Sequence, residues 1–328
     1  MISGEFELIK QLAEFSKESP ESLELQDDGA IISCSNNRLV LVKDLVQAGV
    51  HALENDSLCD VVRKAILVNL SDLAAMGARP KFILLGLCLA KNTDPDQLAA
   101  VAETIRIECD KYSVSLIGGD TVVGLGPTTI SVTAIGELVL EPILRSGAKI
   151  GDDVWVSGVI GDAALALRLL QSDTNSHEFN CLSFEQRSTV IARYYSPVPR
   201  VELGMNLSGI ANSLIDVSDG LFADAGHIAS TSKLSLQLDL SSVPLSPAFA
   251  QWSMHVDNFD LMLSVLGGGD DYELLFTAPM DNREQVESMA TKLALKITKI
   301  GNVTTGNKVV VTNDGVVINA DSTGFTHF

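Results

Sequence analysis

The segment DVVRKAILVNLSDLAAMGA, residues 60–78, carries the clearest structural signal in the chain. Its apolar residues recur at helical spacing and the pattern stops at Gly77, just before Pro80, so it predicts a helix over Asp60–Met76. Asp72 then lies near the C-terminal end of that helix, where the partial negative charge of the backbone disfavours a carboxylate. This placement is therefore unfavourable unless a cation lies nearby.

Apolar runs on either side of this helix predict buried strands, Arg38–Val42 before it and Phe82–Ala90 after it. A second helix is predicted from Asp94 to about Lys111, and strands are predicted over Val114–Ile117 and Thr128–Leu138. The first half is therefore expected to be a mixed α/β domain covering residues 1–139, with a boundary near 140.

Residues 140–328 alternate between strand and helix signals in the same way. We predict strands and helices, in chain order, at Val154–Ser157, Asp162–Leu170, Phe184–Tyr195, Arg200–Leu207, Ser213–Val217, Gly220–Ser230, Leu234–Leu240 and Tyr272–Thr277. The helix at Gly220 is expected to be capped by Ser218 and Asp219. The sequence thus predicts a two-domain α/β (α+β) protein.

Composition restricts the classes of function. The 328 residues are 46% hydrophobic and 20% charged, as in a folded soluble protein. A net charge of −19 argues against nucleic acid or an anionic membrane as a partner, because both require a basic surface. The first residues lack signal-peptide features, no apolar run reaches a membrane span, and the five cysteines form no C-x-x-C pair, so we expect a cytoplasmic enzyme with reduced thiols.

Nine aspartates lie in short clusters rich in Gly, Ser or Asp. They are Asp27, Asp28, Asp44, Asp72, Asp120, Asp216, Asp219, Asp270 and Asp271. Mg²⁺ is commonly held by a few Asp side chains while it bridges to substrate phosphates, so the pattern favours phosphoryl transfer. Each cluster by itself is also compatible with an ordinary turn or helix cap.

Two clusters repeat one pattern, a Gly pair directly before acids. In Gly118-Gly119-Asp120 and Gly268-Gly269-Asp270 the glycines would let backbone N–H groups approach a phosphate, although plain turns would use the same residues. The chain has no P-loop, dinucleotide fingerprint, H-E-x-x-H or G-x-S-x-G motif. Transfer would therefore depend on positioning and charge neutralisation rather than on a covalent intermediate.

Read together, the motifs resemble those of the thiamine-monophosphate kinase family from end to end. The matching segments are Gly4–Phe6, Asp27-Asp28, Asp44 with Gly49–His51, Val68–Ala78, Gly118–Thr121, Arg145–Ala148, Asp216–Leu221, Gly269–Leu274 and His327-Phe328. The resemblance implies a homodimer whose N-terminal domains join their sheets into a barrel-like core, with a C-terminal domain closing each ATP site. It also implies direct in-line transfer from ATP to thiamine monophosphate, with several Mg²⁺ ions.

The resemblance assigns roles residue by residue. The metal-binding acids would be Asp28, Asp44, Asp72, Asp120, Asp216 and Asp219. ATP would be held by Tyr112, Gly119, Asp120, Arg145 and Ser218, and the acceptor by His51, Asp270 and Phe325, whose ring would stack on thiamine. The residues expected to carry the transfer itself are Asp44, Asp72, Asp120 and Arg145.

Some positions depart from the family pattern. Lys43 and Leu45 replace hydroxyl residues beside Asp44, which predicts that one metal is held loosely or is replaced by Lys43. Ala52 stands where an aromatic residue is common, and Asp270 where Glu is common. Two alternatives to the kinase therefore stay open: a related enzyme with a different acceptor, and a paralogue that binds nucleotide without turnover.

Overall fold

The computed structural model describes residues 26–27, 29–34, 37–138, 140–172 and 177–318. Two mixed β-sheets with helices packed on them form the described chain, so the predicted α/β class is confirmed. Within these residues, none of the helices is both long and apolar enough to cross a membrane.

The first sheet is built from residues 30–138. Its strands are β1 (Ala30–Cys34), β2 (Asn37–Gln47), β3 (Ala78–Ala90), β4 (Ser115–Gly124) and β5 (Thr129–Leu138). They lie in the order β1-β2-β5-β3-β4, with antiparallel neighbours except for the parallel pair β3–β4. Alternate residues of the central strands are buried, among them Val42 and Val132, so one face of the sheet forms the core.

Helix α1 (Leu58–Ala75) packs on that buried face, and α2 (Leu98–Tyr112) packs beside it. The Ser57 side chain caps α1 by accepting a hydrogen bond from the Asp60 N–H. Most of α1 is buried, because it touches the first sheet on one side and the second half of the chain on the other. At Gly204 a Cβ would lie 2.0 Å from the Ala74 carbonyl oxygen, so this close approach requires glycine.

The second sheet is built from residues 153–318. Its strands are β6 (Asp153–Ser157), β7 (Ser213–Asp216), β8 (Ser235–Asp239), β9 (Leu274–Ala278), β10 (Ile297–Thr304), β11 (Val309–Asn313) and β12 (Val316–Ile318). They lie in the order β12-β11-β8-β10-β6-β9-β7. The accompanying helices are α3 (Asp162–Gln171), α4 (Phe184–Tyr195), α5 (Val201–Leu207), α6 (Leu221–Ser232), α7 (Pro247–His255), α8 (Phe259–Leu266) and α9 (Arg283–Lys292).

Two predicted strand ends are wrong. Strand β2 continues past Val42 to Gln47, so Asp44 lies inside a strand rather than at its end. Strand β4 continues to Gly124, so Gly118-Gly119-Asp120 lies within an edge strand and not in a turn. In both cases the backbone pairs with a neighbouring strand over about ten residues, and this pairing outweighs the local turn preference of Gly and Asp.

The predicted cap of α6 is also wrong. The helix begins at Leu221, and the residue at its capping position is Gly220, which has no side chain to cap it. Instead the Asp224 carboxylate, in the first turn, accepts hydrogen bonds from the backbone N–H groups of Asp219 (3.1 Å) and Gly220 (3.0 Å). The capping position is therefore Gly220 rather than Ser218 or Asp219.

Candidate active site

A cavity of about 420 Å³ lies between the two halves of the chain. Residues 44–46, 49–54 and Val68 line it from the first half, and α3, α4 and the loops at 218–219 and 268–272 line it from the second. Five predicted site residues face this cavity. They are Asp44, His51, Ser218, Asp219 and Asp270.

Helix α1 joins the two halves behind the cavity. The hydroxyl of Ser71 donates a 2.6 Å hydrogen bond to the carboxylate of Asp216, which is 1% exposed. Two residues earlier, the buried Asn69 amide accepts a 2.9 Å hydrogen bond from the Asp44 N–H and donates to the Ala65 carbonyl. One turn of α1 thereby holds Asp44 and Asp216 close to its own Asp72.

The loop before β9 brings a fourth acid to this place. The Asp270 N–H donates to the Ser218 carbonyl (2.7 Å) and the Tyr272 N–H to the Val217 carbonyl (2.8 Å). Asp270 and Tyr272 have φ angles of +68° and +50°, a left-handed backbone that non-glycine residues rarely adopt. Such strain is characteristic of functional loops that the surrounding structure holds in place.

Four of the predicted acids lie close enough to the Tyr272 side chain for their charges to affect it. Burial raises the pKa of the Tyr272 hydroxyl well above its usual value, and the charges of Asp270, Asp44, Asp216 and Asp72 raise it further, in that order. Each of these four acids was singled out from the sequence, and two come from each half of the chain. The fold therefore gathers them around one phenol.

Three of these acids, Asp44, Asp72 and Asp216, offer carboxylate oxygens of the kind that a hard divalent cation takes, whereas Asp270 is paired with Lys64. Carboxylates that share a small, partly buried space repel one another unless a cation lies among them. The ligand atoms available are all oxygens, which suits Mg²⁺ rather than a soft metal. A second group, Asp219, Asp224 and His227, is the one among the described residues whose ligand atoms all lie within 4.8 Å of one another, a spacing that the acids near Tyr272 do not show.

Arg145 lies beside this second group. Burial raises the pKa of Asp224, the charges of Asp219 and Asp216 raise it further, and Arg145 opposes them. The Arg145 backbone is fixed by its N–H, which donates to the Asp27 carboxylate at 2.7 Å, and by its carbonyl, which accepts from the Ser232 hydroxyl at 3.2 Å. A guanidinium next to these acids is suited to binding phosphate oxygens.

The single chain does not bring every predicted residue to the cavity. Asp120 and Gly119 are exposed on the edge strand β4. Strand β4 lies three strand spacings from β2 in the sheet. Asp120 and Asp44 are therefore about 14 Å apart across the sheet. Tyr112 ends α2, and its buried hydroxyl has no hydrogen-bond partner among the described residues. Asp28 and Phe325 lie outside the described residues.

Lys43 does not replace a metal beside Asp44, so that expectation is wrong. Successive side chains of a strand point to opposite faces, and Lys43 lies on the face opposite that of Asp44. Its ammonium donates to the hydroxyls of Ser131 (2.7 Å) and Thr133 (3.3 Å) on the neighbouring strand.

Three residues at the cavity were not predicted. Lys64 is 3% exposed and forms an ion pair with Asp270, while Tyr194 and Tyr272 line the cavity wall. A single Lys inside the apolar run of α1 was the signal available in the sequence for Lys64. Tyr272 directly follows the Asp270-Asp271 cluster, whereas Tyr194 carried no comparable local signal, because its place at the cavity arises from the packing of distant elements.

Comparison with known proteins shows the class of protein to which the chain belongs. Residues 26–138 match the N-terminal domain model of AIR synthase related proteins, and residues 149–314 match the C-terminal domain model. The chain is 35% identical to the thiamine-monophosphate kinase of Haemophilus influenzae, over 100% of this chain and 99% of that protein.

Solved structures agree. A structure of AaThiL complexed with AMPPCP and TMP has a TM-score of 0.82 and 31% identity, covering 99% of this chain and 97% of that one. The thiamine-monophosphate kinase of Stenotrophomonas maltophilia has a TM-score of 0.77 and 36% identity, covering 93% and 97%. The chain belongs to the AIR synthase related proteins and, within them, to the thiamine-monophosphate kinase family, which confirms the resemblance seen in the sequence.

Proposed function

We propose that the protein transfers the γ-phosphate of ATP to thiamine monophosphate, giving ADP and thiamine diphosphate. The observation that carries this proposal is that one turn of α1, which holds Asp72, bonds to Asp44 from the first half and to Asp216 from the second, beside the cavity that Asp44 and Asp270 line. Membership of the kinase family and the likeness to a relative complexed with AMPPCP and TMP support the same reaction.

In this proposal the acids hold Mg²⁺ and the cavity holds the acceptor. Bound Mg²⁺ would neutralise the phosphates and the transferring group, which a protein of net charge −19 otherwise repels. The metal ligands would be Asp28, Asp44, Asp72, Asp120, Asp216 and Asp219. Arg145, Ser218, Tyr112 and Gly119 would bind the nucleotide, with the Arg145 guanidinium on the phosphate oxygens.

The acceptor would lie beside His51 and Asp270, which line the cavity from the first and the second half of the chain. The Gln47 N–H donates to His51 Nδ1 at 3.2 Å, which fixes the imidazole ring at the cavity wall. Phe325 would stack on the cationic thiazolium ring. Alignment of the acceptor phosphate with the γ-phosphate would then supply much of the rate acceleration through positioning.

We further propose a homodimer that uses the edge of the first sheet. Strand β4 is an edge strand with exposed apolar side chains, among them Val122 (51%), Val123 (67%) and, just beyond it, Leu125 (91%). An apolar edge of this kind usually pairs with another chain. The N-terminal domain, residues 1–139, would dimerise, and the C-terminal domain, residues 140–328, would close each active site in the cytoplasm.

The test is product formation. Purified protein is incubated with ATP, thiamine monophosphate and Mg²⁺, and thiamine diphosphate is separated by chromatography, with a chelator as the metal control. Metal-dependent thiamine diphosphate with matching ADP supports the proposal. Binding of ATP without thiamine diphosphate would contradict it and favour a different acceptor or a paralogue without turnover.

A further inference from the structure

The buried ammonium of Lys64 is the centre of a set of contacts at the cavity. Lys64 lies on α1 and is 3% exposed. Its Nζ forms an ion pair with the Asp270 carboxylate, donates a 2.9 Å hydrogen bond to the His51 carbonyl and lies 4.2 Å from the centre of the Tyr194 ring. Three cavity-lining residues therefore share one cation.

These contacts join three separate parts of the chain. His51 belongs to the loop between β2 and α1, Asp270 to the loop before β9, and Tyr194 to α4. A buried ammonium is unfavourable unless it is paired and hydrogen-bonded, and here all its partners belong to the cavity. The position of each wall consequently depends on the same charge.

A second network extends the arrangement to the whole loop. The Leu53 N–H donates to the Tyr194 hydroxyl at 3.0 Å, and that hydroxyl donates to the Asp56 carboxylate at 3.1 Å. Asp56 also accepts from the Leu53 N–H (2.7 Å) and the Tyr195 hydroxyl (3.0 Å). The loop that carries His51 is thus held on α4 by Tyr194, under the Lys64 ammonium.

We propose that Lys64 is a positioning residue for the phosphate acceptor. It sets the separation of His51 and Asp270 by binding both, and it compensates the charge of the Asp270 carboxylate, so that the two residues hold one position at the cavity. This role rests on the proposed kinase function, because the acceptor is the thiamine monophosphate assigned there. Lys64 does not touch the transferring phosphoryl group in this scheme.

The decisive experiment compares Lys64→Met, Asp270→Asn and the double variant by steady-state kinetics. We expect kcat/KM for thiamine monophosphate to fall about 100-fold in Lys64→Met, through KM more than kcat, because the acceptor is misplaced. KM for ATP should stay within about twofold. If Lys64 acts through Asp270, the double variant should be no worse than Asp270→Asn alone.

Controls separate this role from general stability. The double variant carries no unpaired buried charge, so it stays informative if Lys64→Met folds poorly. Lys299→Met provides the matched control, because Lys299 forms a 2.8 Å ion pair with Asp153 in the second sheet, away from the cavity. Its KM for thiamine monophosphate should equal that of the wild type.

Calorimetric binding of thiamine monophosphate distinguishes the two ways of failing. If the wild type neither binds nor converts thiamine monophosphate, the proposed function is overturned. If the wild type binds it and Lys64→Met binds it equally well, only the role of Lys64 is overturned. The role of Lys64 is likewise overturned if the fall in kcat/KM of the double variant equals the product of the falls in the two single variants, because Lys64 would then act independently of Asp270.

Discussion

The hydroxyl of Ser71, on α1, donates a 2.6 Å hydrogen bond to the carboxylate of Asp216, the last residue of β7 in the second sheet. Both residues are fully buried, at 0% and 1% exposure. Because Asp72 follows Ser71 directly, this contact sets the distance between two of the candidate metal ligands. The active site therefore depends on how the two halves meet.

Replacing Ser71 by Ala should weaken both stability and catalysis. The buried Asp216 carboxylate would lose a donor, which costs about 1–3 kcal/mol of unfolding free energy. We expect the apparent affinity for Mg²⁺ to fall as well, because Asp216 would no longer be oriented toward Asp72. Urea unfolding and turnover at varied Mg²⁺ measure the two effects. Ser188→Ala, which removes an exposed hydroxyl bonded to its own helix, should change neither.

Asp72→Asn and Asp120→Asn should each nearly abolish phosphoryl transfer while the fold is retained. Each change removes one charged metal ligand and keeps the size of the side chain. Turnover is measured beside circular dichroism spectra and thermal unfolding. Normal turnover in either variant would show that the metal assignment of that residue is wrong.

Mixing these two inactive variants should restore activity. Asp120 lies about 14 Å from Asp44 across the sheet of one chain, so we expect it to reach the site of the partner subunit in the proposed dimer. A mixed dimer then contains one site with both acids intact, and random pairing gives about a quarter of wild-type activity. Activity that stays absent after subunits have exchanged would place Asp120 in its own chain's site or outside it.

Arg200→Met should strongly destabilise the fold. The Glu273 carboxylate is 1% exposed and accepts hydrogen bonds from Arg200 Nε (2.6 Å) and the Ser157 hydroxyl (2.6 Å). Without Arg200 the buried Glu273 carboxylate keeps only the more distant ion pair with Arg193, at 3.7 Å among the described contacts, so we expect a loss of about 2–3 kcal/mol in unfolding free energy.

The matched control is Arg106→Met, which removes a guanidinium paired with Glu103 and Asp110 on the surface of α2. Exposed pairs of this kind contribute little to stability, so its urea midpoint should match the wild type. Equal midpoints for the Arg200 and Arg106 variants would contradict a stabilising role for the buried Glu273 network.

The four tyrosines should titrate unusually late. Burial, reinforced by the Asp56 carboxylate, raises the pKa of Tyr195 to about 12, and burial also raises the pKa of Tyr112, Tyr194 and Tyr272. The unfolded phenol has a pKa of about 10. Because the pKa of each phenol is higher in the folded than in the unfolded protein, its contribution to the free energy of unfolding is complete below pH about 10. That contribution is lost as the pH rises from about 10 toward 12.

Absorbance of tyrosinate at alkaline pH measures this directly. The folded protein should develop little signal near pH 10, whereas the urea-unfolded chain should titrate there. Asp56→Asn should bring the Tyr195 titration to lower pH, because it removes the neighbouring negative charge. A folded titration curve that coincides with the unfolded one would show that the phenols are not shielded.

Local patterns predicted some elements closely and others poorly, for a physical reason. The helix predicted over Asp60–Met76 is observed at Leu58–Ala75, because helical periodicity and capping depend on residues a few positions apart. The ends of β2 and β4 were wrong, because they are set by hydrogen bonds to strands tens of residues away. For the same reason Lys64 and Tyr194 were not predicted as site residues, because their contacts form only where α1, α4 and two loops meet.

By itself the sequence determined the α/β class, the kinase family and the acids available for metal binding, because periodicity, composition and motif order are properties of the linear chain. Only the tertiary structure decided that Asp44, Asp72, Asp216 and Asp270 share one place, that Lys43 faces away from it, and that Asp120 lies on an exposed edge. Those relationships follow from strand register and from the packing of α1 between two sheets, which no local pattern encodes.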